Sequence, residues 1–430
     1  MIAFVPLLAG LGLVSAVRLR PRTGAGLVGG SLFLGVVFLA LWTHLLLFVR
    51  IPVSLASVLA GAGAAGIAGA IRFDRTMFRV SWRPGWNSVP VFLSLAFLVY
   101  GAVSWNLLGY DGEVYYVLNA KSILHYGTFW NPDFTDPARL HPSARRPLLI
   151  SCFYADYTLL AGTTDTRGLR LWFALLHAGA LGVIHDRFKM PMLWLTVLAW
   201  LPAFWHDAGG VFTGYGDATL AVLILLGVGA LAQGERVLSG GAFSAAVLLK
   251  QDAWPLLIAV PLATLAAKPR SLPRTLLVLI APALLAIAWG ILSSKLPPRP
   301  DIGNAGQVNP ARLVASIPNW PTVLGRFGSE ILKPAHWGFF WVVTAGGIGL
   351  MARHLTREDA WWLSIGLFQI LAYAAVTTTY DPSYIHFAAK SQAMRLFLHV
   401  APLFWFCVGR RWQEVMRSGS PACTRPATSA

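Results

Sequence analysis

The stretch LLGYDGEVYYVLNAKSILHYGTFW, Leu107–Trp130, decides how the chain is read. It begins as the tail of an apolar run that starts near residue 88. It then passes two carboxylates two residues apart, Asp111 and Glu113, and continues as a Tyr-rich amphipathic segment. A helix needs about 20 apolar residues to cross about 30 Å of hydrocarbon. The two acids therefore fall where such a helix surfaces. Beyond them, Val114, Val117, Leu118 and Leu124 are expected to share one face of a helix lying along the membrane interface.

Similar apolar runs recur along all 430 residues, of which 56% are hydrophobic and 12% charged. A soluble domain carries about 25% charged residues. The composition therefore predicts an all-α polytopic membrane protein with about ten to twelve transmembrane helices and external amphipathic helices. The net charge of +16 comes largely from arginines between apolar runs. In that position they set topology, and no nucleic-acid partner is expected. Cys152, Cys407 and Cys423 form no CxxC pair, so neither a disulfide framework nor a zinc site is predicted. The N-terminal apolar run precedes its positive charges, which is the order of a retained first helix and not of a cleaved signal.

Basic clusters orient the spans. Arg18, Arg20 and Arg22 follow the first run, and Arg72, Arg75, Arg79 and Arg83 follow the third. The positive-inside rule puts both clusters in the cytoplasm. The first three spans, at roughly 2–17, 26–49 and 51–71, then form an N-terminal extension over 1–87. A fourth, at roughly 88–108, emerges outside, so Asp111 and Glu113 open an external segment. The apolar part after Pro147 has about fifteen residues and reads either as a tilted span or as a re-entrant hairpin. Further on, GYGDATLAVLILLGVGALAQ, a short turn and AFSAAVLLKQDAWPLL make a helix hairpin. At about 1.5 Å per residue its arms nearly match, which sets Asp217 level with Lys250, Gln251 and Asp252, where Pro255 breaks the second helix. Lys268, Arg270 and Arg274 return the chain to the cytoplasm. A span at roughly 275–293 leads to an external polar segment, 294–336. Spans at roughly 337–352, 361–379 and 395–409 follow, and 410–430 is expected to be a disordered cytoplasmic tail.

Ionisable groups within a membrane are expensive and are functional candidates by default. On the external side the map collects Asp111, Glu113, His141, Arg145, Arg146, Asp217, Lys250, Asp252, Lys333, His336, His386, Lys390 and Arg395. The acids suit a general base or an orienting group, and the cations suit a phosphate. Simpler roles stay open for each. Asp111 and Glu113 could solvate a helix end, Arg145 and Arg146 could anchor lipid headgroups, and Lys250 with Asp252 could be a structural ion pair.

The order of these features resembles the polytopic glycosyltransferases of the GT-C superfold, which include protein mannosyltransferases and lipid A aminoarabinose transferases. The chain is most similar to bacterial mannosyltransferase-like and rhizobial lipopolysaccharide-core transferase-like membrane proteins. GYDGEVYYVLNAKSIL is similar to the family's Asp-containing loop, which puts Asp111 at the catalytic acid position with Glu113 beside it. HPSARRPLLIS resembles the His-Pro-x-Tyr-Pro-Leu-Leu motif, with His141 retained and Arg145 and Arg146 replacing its Tyr-Pro. GYGDATLAVLILLG matches a Tyr-Ala-Asp-Leu-Pro-Leu segment at Asp217, and LLKQDAWPLL matches Thr-Lys-Asn-Glu-Gly at Lys250, Gln251 and Asp252. YIHFAAKSQAMRLFLHVAPL is similar to a Trp-His…Asp-Arg-Leu-Leu-Leu element at His386 and Arg395, with Met394 in place of the acid.

The resemblance spans roughly 88–409 and implies a catalytic core that moves a sugar, with inversion, from a polyprenyl-phosphate donor to an envelope lipid, polysaccharide or protein. It implies Asp111 as base or acceptor-orienting carboxylate supported by Glu113. Arg145, Arg146, Lys250 and Arg395 would serve the donor phosphate, with His141, Asp217, Asp252, Lys333, His336 and His386 lining the cavity. It also implies a multi-pass protein of the bacterial inner membrane. No metal or cofactor is called for, and neither GxGxxG nor GxxxxGK[ST] occurs. The competing reading is a transporter or flippase of a lipid-linked or anionic solute, since broken helices with charges at depth suit transporters too.

Overall fold

The computed structural model describes residues 1–19, 21–73, 79–81, 93, 96, 99–101, 104, 112–136, 145–165, 167–188, 192–205, 215–296, 310–380 and 382–418. Among them the chain is all-α, with a single isolated bridge, Thr23 to Ser81, and no strand. Four helices are long and apolar enough to cross a membrane: Gly26–Phe48, Pro269–Ser294, Arg357–Thr378 and Gln392–Val415. Seven more are apolar but shorter, at 10–17 residues. Against the expectation of about ten to twelve crossing segments, four helices of full crossing length are present among the described residues, and the other apolar helices are shorter.

Helices α1 (Phe4–Ala16), α2 (Gly24–Phe48) and α3 (Leu55–Ile71) form the N-terminal layer. Local chemistry sets their starts. The Thr23 hydroxyl accepts from Gly26 N, and Ser54 and Ser57 form a capping box. Close approach sets their packing. A side chain at Gly35 would collide with the Pro6 carbonyl, and one at Gly69 would meet the Gly12 backbone. Small residues at such contacts let helix backbones touch.

The opening stretch folds as a π-helical turn, Gly112–Val117, running into α4 (Leu118–Tyr126). Its buried face is Tyr116, Val117, Asn119, Ala120, Ser122 and Ile123, and Leu118 is exposed. The predicted face of Val117, Leu118 and Leu124 is therefore rotated. One wide turn shifts the register of everything after it relative to an unbroken 3.6-residue repeat.

Beyond it come α5 (Leu149–Ala161), α6 (Arg167–Phe188) and α7 (Met192–Ala199). The helix hairpin is α8 (Asp217–Ala232) and α9 (Arg236–Leu249). Gly234, at φ +78°, makes the turn between them in a conformation that side-chain-bearing residues rarely adopt. After α9 the chain becomes extended at Lys250, turns through Gln251–Ala253 and reverses into α10 (Leu256–Ala267). At about 1.5 Å per residue α8, α9 and α10 reach about 24, 21 and 18 Å, all short of a bilayer's apolar core. Then follow α11 (Leu272–Ser294), α12 (Trp320–Ile331), α13 (Phe340–Leu350), α14 (Arg357–Thr378) and α15 (Pro382–Ser418). Residues 410–418, expected in a disordered tail, continue α15, because Arg410 and Arg411 are tied to Asp359.

Two polar layers mark the ends of this bundle. At one end Asp186 accepts from the backbone N–H groups of Arg22 and Thr23, and Arg187 pairs with Glu235. Lys268 lies over the Trp361 ring, and Asp359 receives Arg410, Arg411 and the Thr356 hydroxyl. Arg22, through its backbone, and Arg72, which donates to the Ala16 carbonyl at the close of α1, belong to this end. The other layer gathers around Asp217. Between the layers α11 exposes Leu277, Ile280, Leu284, Ile287 and Ile291 along one face, the pattern of a helix set against lipid.

Candidate functional site

Gly216, at φ +77°, turns the chain so that Asp217 is the first residue of α8. A side chain there would press on Ile150 Cδ1, 2.6 Å away. Asp217 is completely buried. Lys250 Nζ donates to its Oδ1 at 2.7 Å, and Arg395 Nε to its Oδ2 at 3.0 Å. His399 Nε2 lies 2.8 Å from Oδ1. The arm lengths of the α8–α9 hairpin predict that Asp217 and Lys250 are level, and the structure sets them in contact.

Burying a lone carboxylate is prohibitive, whereas one sharing several charge-assisted hydrogen bonds is tolerated. The partners come from the end of α9 and from successive turns of α15, where Arg395 and His399 are four residues apart and so share a face. The Arg395 guanidinium also stacks over Tyr215, 4.6 Å from the ring centroid. His399 in turn contacts Tyr373 Oη through Nδ1 at 3.0 Å. Gln369 links Tyr373 Oη, at 2.7 Å, with the Asp252 backbone carbonyl, at 2.8 Å. Asp252 itself is half-buried, and its carboxylate accepts no hydrogen bond among the described residues.

The ligand atoms of Asp217, Asp252 and His399 all lie within 4.8 Å of one another. Two cations and an imidazole already share Asp217, so the group is charge-compensated by the protein alone. A divalent ion added beside Lys250 and Arg395 would be repelled by both.

The second motif region joins the same layer from another side. Arg145 Nη2 donates to the Leu296 carbonyl at 2.6 Å. The Arg145 carbonyl accepts from Trp289 Nε1 at 3.2 Å and from Gln251 Nε2 at 3.4 Å. Gln251 therefore ties the Arg145 loop to the helix break that carries Lys250 and Asp252. Arg146 stacks over Tyr115, 4.4 Å from its centroid.

Other predicted residues lie elsewhere. Lys333 and His336 meet on buried Glu330, near the end of α12, together with Trp337 Nε1 at 3.3 Å. His386 is exposed. Asp111 and His141 lie outside the described residues, and of Glu113 only the backbone, in the π-helical turn, is described.

Sequence reasoning missed His399, Tyr373, Gln369 and Glu330. The first three leave a faint mark. Gln369/Tyr373 and Arg395/His399 are polar pairs four apart in otherwise apolar helices, a spacing that points both members of a pair the same way. No protein-family model, curated protein or solved structure matches the chain.

Proposed function

We propose that this protein is a multi-pass glycosyltransferase of the bacterial inner membrane. It moves a sugar from a polyprenyl-phosphate donor to a hydroxyl of an envelope lipid, polysaccharide or protein on the external face, with inversion. The observation that supports this reading most is convergence. Four segments that resemble glycosyltransferase motifs, far apart in sequence, contribute Arg145, Asp217, Lys250, Gln251 and Arg395 to one connected layer. That layer lies opposite the end that holds Arg72, Arg187, Lys268, Arg410 and Arg411, the end that the positive-inside rule makes cytoplasmic.

In this reading the acceptor oxygen attacks the anomeric carbon as its proton passes to Asp111, with Glu113 in support. The bond to the lipid phosphate breaks, and the departing oxyanion needs cations already in place. Asp217 holds Lys250 and Arg395 in fixed positions before substrate arrives, and Lys250 keeps further N–H donors for phosphate oxygens. Arg145 and Arg146 approach from the adjoining loop.

The test is Asp111→Asn in membranes supplied with polyprenyl-phosphate sugars. Product is expected to vanish while the protein accumulates normally, and undiminished product defeats the assignment. Uptake of solute into proteoliposomes without any glycosyl product would instead support a transporter.

A further inference from the structure

The chain of hydrogen bonds behind Asp217 has a direction that follows atom by atom. The Gln369 side chain lies 2.8 Å from the Asp252 backbone carbonyl. A carbonyl oxygen only accepts, so the amide NH2 must face it. The rotated amide would set two oxygens against each other. The second N–H of that NH2 points to Tyr373 Oη, at 2.7 Å, which therefore accepts.

Tyr373 is 3% exposed, and its hydroxyl meets one further described group, His399 Nδ1. The phenolic proton is therefore donated to Nδ1. Nδ1 accepts only when the imidazole is neutral with its proton on Nε2, which then donates to Asp217 Oδ1. The charged alternative fails on the hydrogen bonds. An imidazolium would donate from Nδ1 to a hydroxyl that already accepts from Gln369, leaving the phenolic proton buried without an acceptor.

We infer that Gln369 and Tyr373 are positioning residues. They hold His399 as the neutral Nε2–H donor, and through it they fix the orientation in which the Asp217 carboxylate receives Lys250 and Arg395. Both side chains are buried behind Asp217 and His399. The other neutral tautomer would turn a lone pair of Nε2 toward Asp217 Oδ1, push the carboxylate aside and move both cations with it. The hydrogen-bond assignment stands on geometry alone. Its consequence for sugar transfer rests on the function proposed above.

The decisive measurement is ¹⁵N solid-state NMR of the full-length protein, labelled at histidine and reconstituted in lipid vesicles at neutral pH. The His399 signals are identified by their loss in His399→Gln. The expected result is a protonated Nε2 and an unprotonated, hydrogen-bonded Nδ1. In Tyr373→Phe the Nδ1 resonance is expected to leave that position, and kcat for transfer to fall by about tenfold or more with KM little changed. A wild-type His399 with a protonated Nδ1 overturns the inference, whether or not Tyr373→Phe folds. So does a Tyr373→Phe protein whose His399 resonances match the wild type. The expected resonances in a protein that transfers no sugar would sustain the relay and defeat the glycosyltransferase reading.

Discussion

Lys250 and Asp217 are 33 residues apart in sequence, yet their side chains meet at 2.7 Å with 7% and 0% of each exposed. The contact joins the two ends of a helix hairpin whose turn lies in the opposite polar layer. It is also the hub of the candidate site, since Arg395 and His399 reach the same carboxylate.

Removing the carboxylate should therefore cost more than removing either cation. Asp217→Ala leaves Lys250 facing Arg395 with nothing between them, and loss of one partner of a buried ion pair costs about 3–5 kcal/mol. Lys250→Met keeps Asp217 bonded to Arg395 and His399 and should cost less. Thermal unfolding in detergent should rank Asp217→Ala below Lys250→Met, and the reverse order would show that the carboxylate is not the hub.

The opposite layer offers a matched pair of carboxylates. Asp359 caps α14 and receives both Arg410 and Arg411, whereas Glu414 meets Arg411 at a half-exposed position. Asp359→Ala is expected to cost about 3 kcal/mol or more. Glu414→Ala is expected to cost less than about 1 kcal/mol, because exposed ion pairs are screened. The same unfolding assay separates the two.

Helix contact in the N-terminal layer predicts a contrast among glycines. Gly35→Val has no room beside the Pro6 carbonyl and should separate α1 from α2, lowering the amount of folded protein. Gly63→Ala and Gly66→Ala meet nothing within 4 Å and should leave it unchanged. Fluorescence-detected size-exclusion chromatography reports all three.

Sidedness is directly measurable. In a variant without Cys152, Cys407 and Cys423, a cysteine replacing exposed Lys390 should react with an impermeant reagent added outside intact cells. A cysteine replacing exposed Arg353 should react only after the membrane is opened. Labelling in the opposite pattern would invert the topology.

The parts legible from sequence were those governed by local rules. Arm length places Asp217 level with Lys250, and the apolar runs at residues 26–49, 275–293 and 361–379 lie close to α2, α11 and α14. The site's inner partners were not legible. His399 is one histidine in an apolar run, and its role exists only because α14 packs Tyr373 against it. The π-helical turn escaped for a related reason. A single widened turn leaves no compositional trace, yet it rotates the whole face of α4. Asp359 shows the opposite case, because Thr356 and Asp359 carry capping-box spacing that a closer reading of residues 356–359 would have found.

The shortness of α10 bears on the lipid itself. With Ile258, Leu262 and Leu265 exposed and a reach of about 18 Å against about 30 Å of hydrocarbon, this helix imposes a mismatch that a bilayer relieves by thinning locally. Acyl chains beside the reversal at Lys250–Pro255 would dip toward the bundle and carry their headgroups with them. An anionic headgroup in that depression would have less apolar depth to cross before its charge reached the level of Asp217. By this physics the deformation of the membrane, and not side-chain charge alone, sets how near lipid headgroups come to the Asp217 layer.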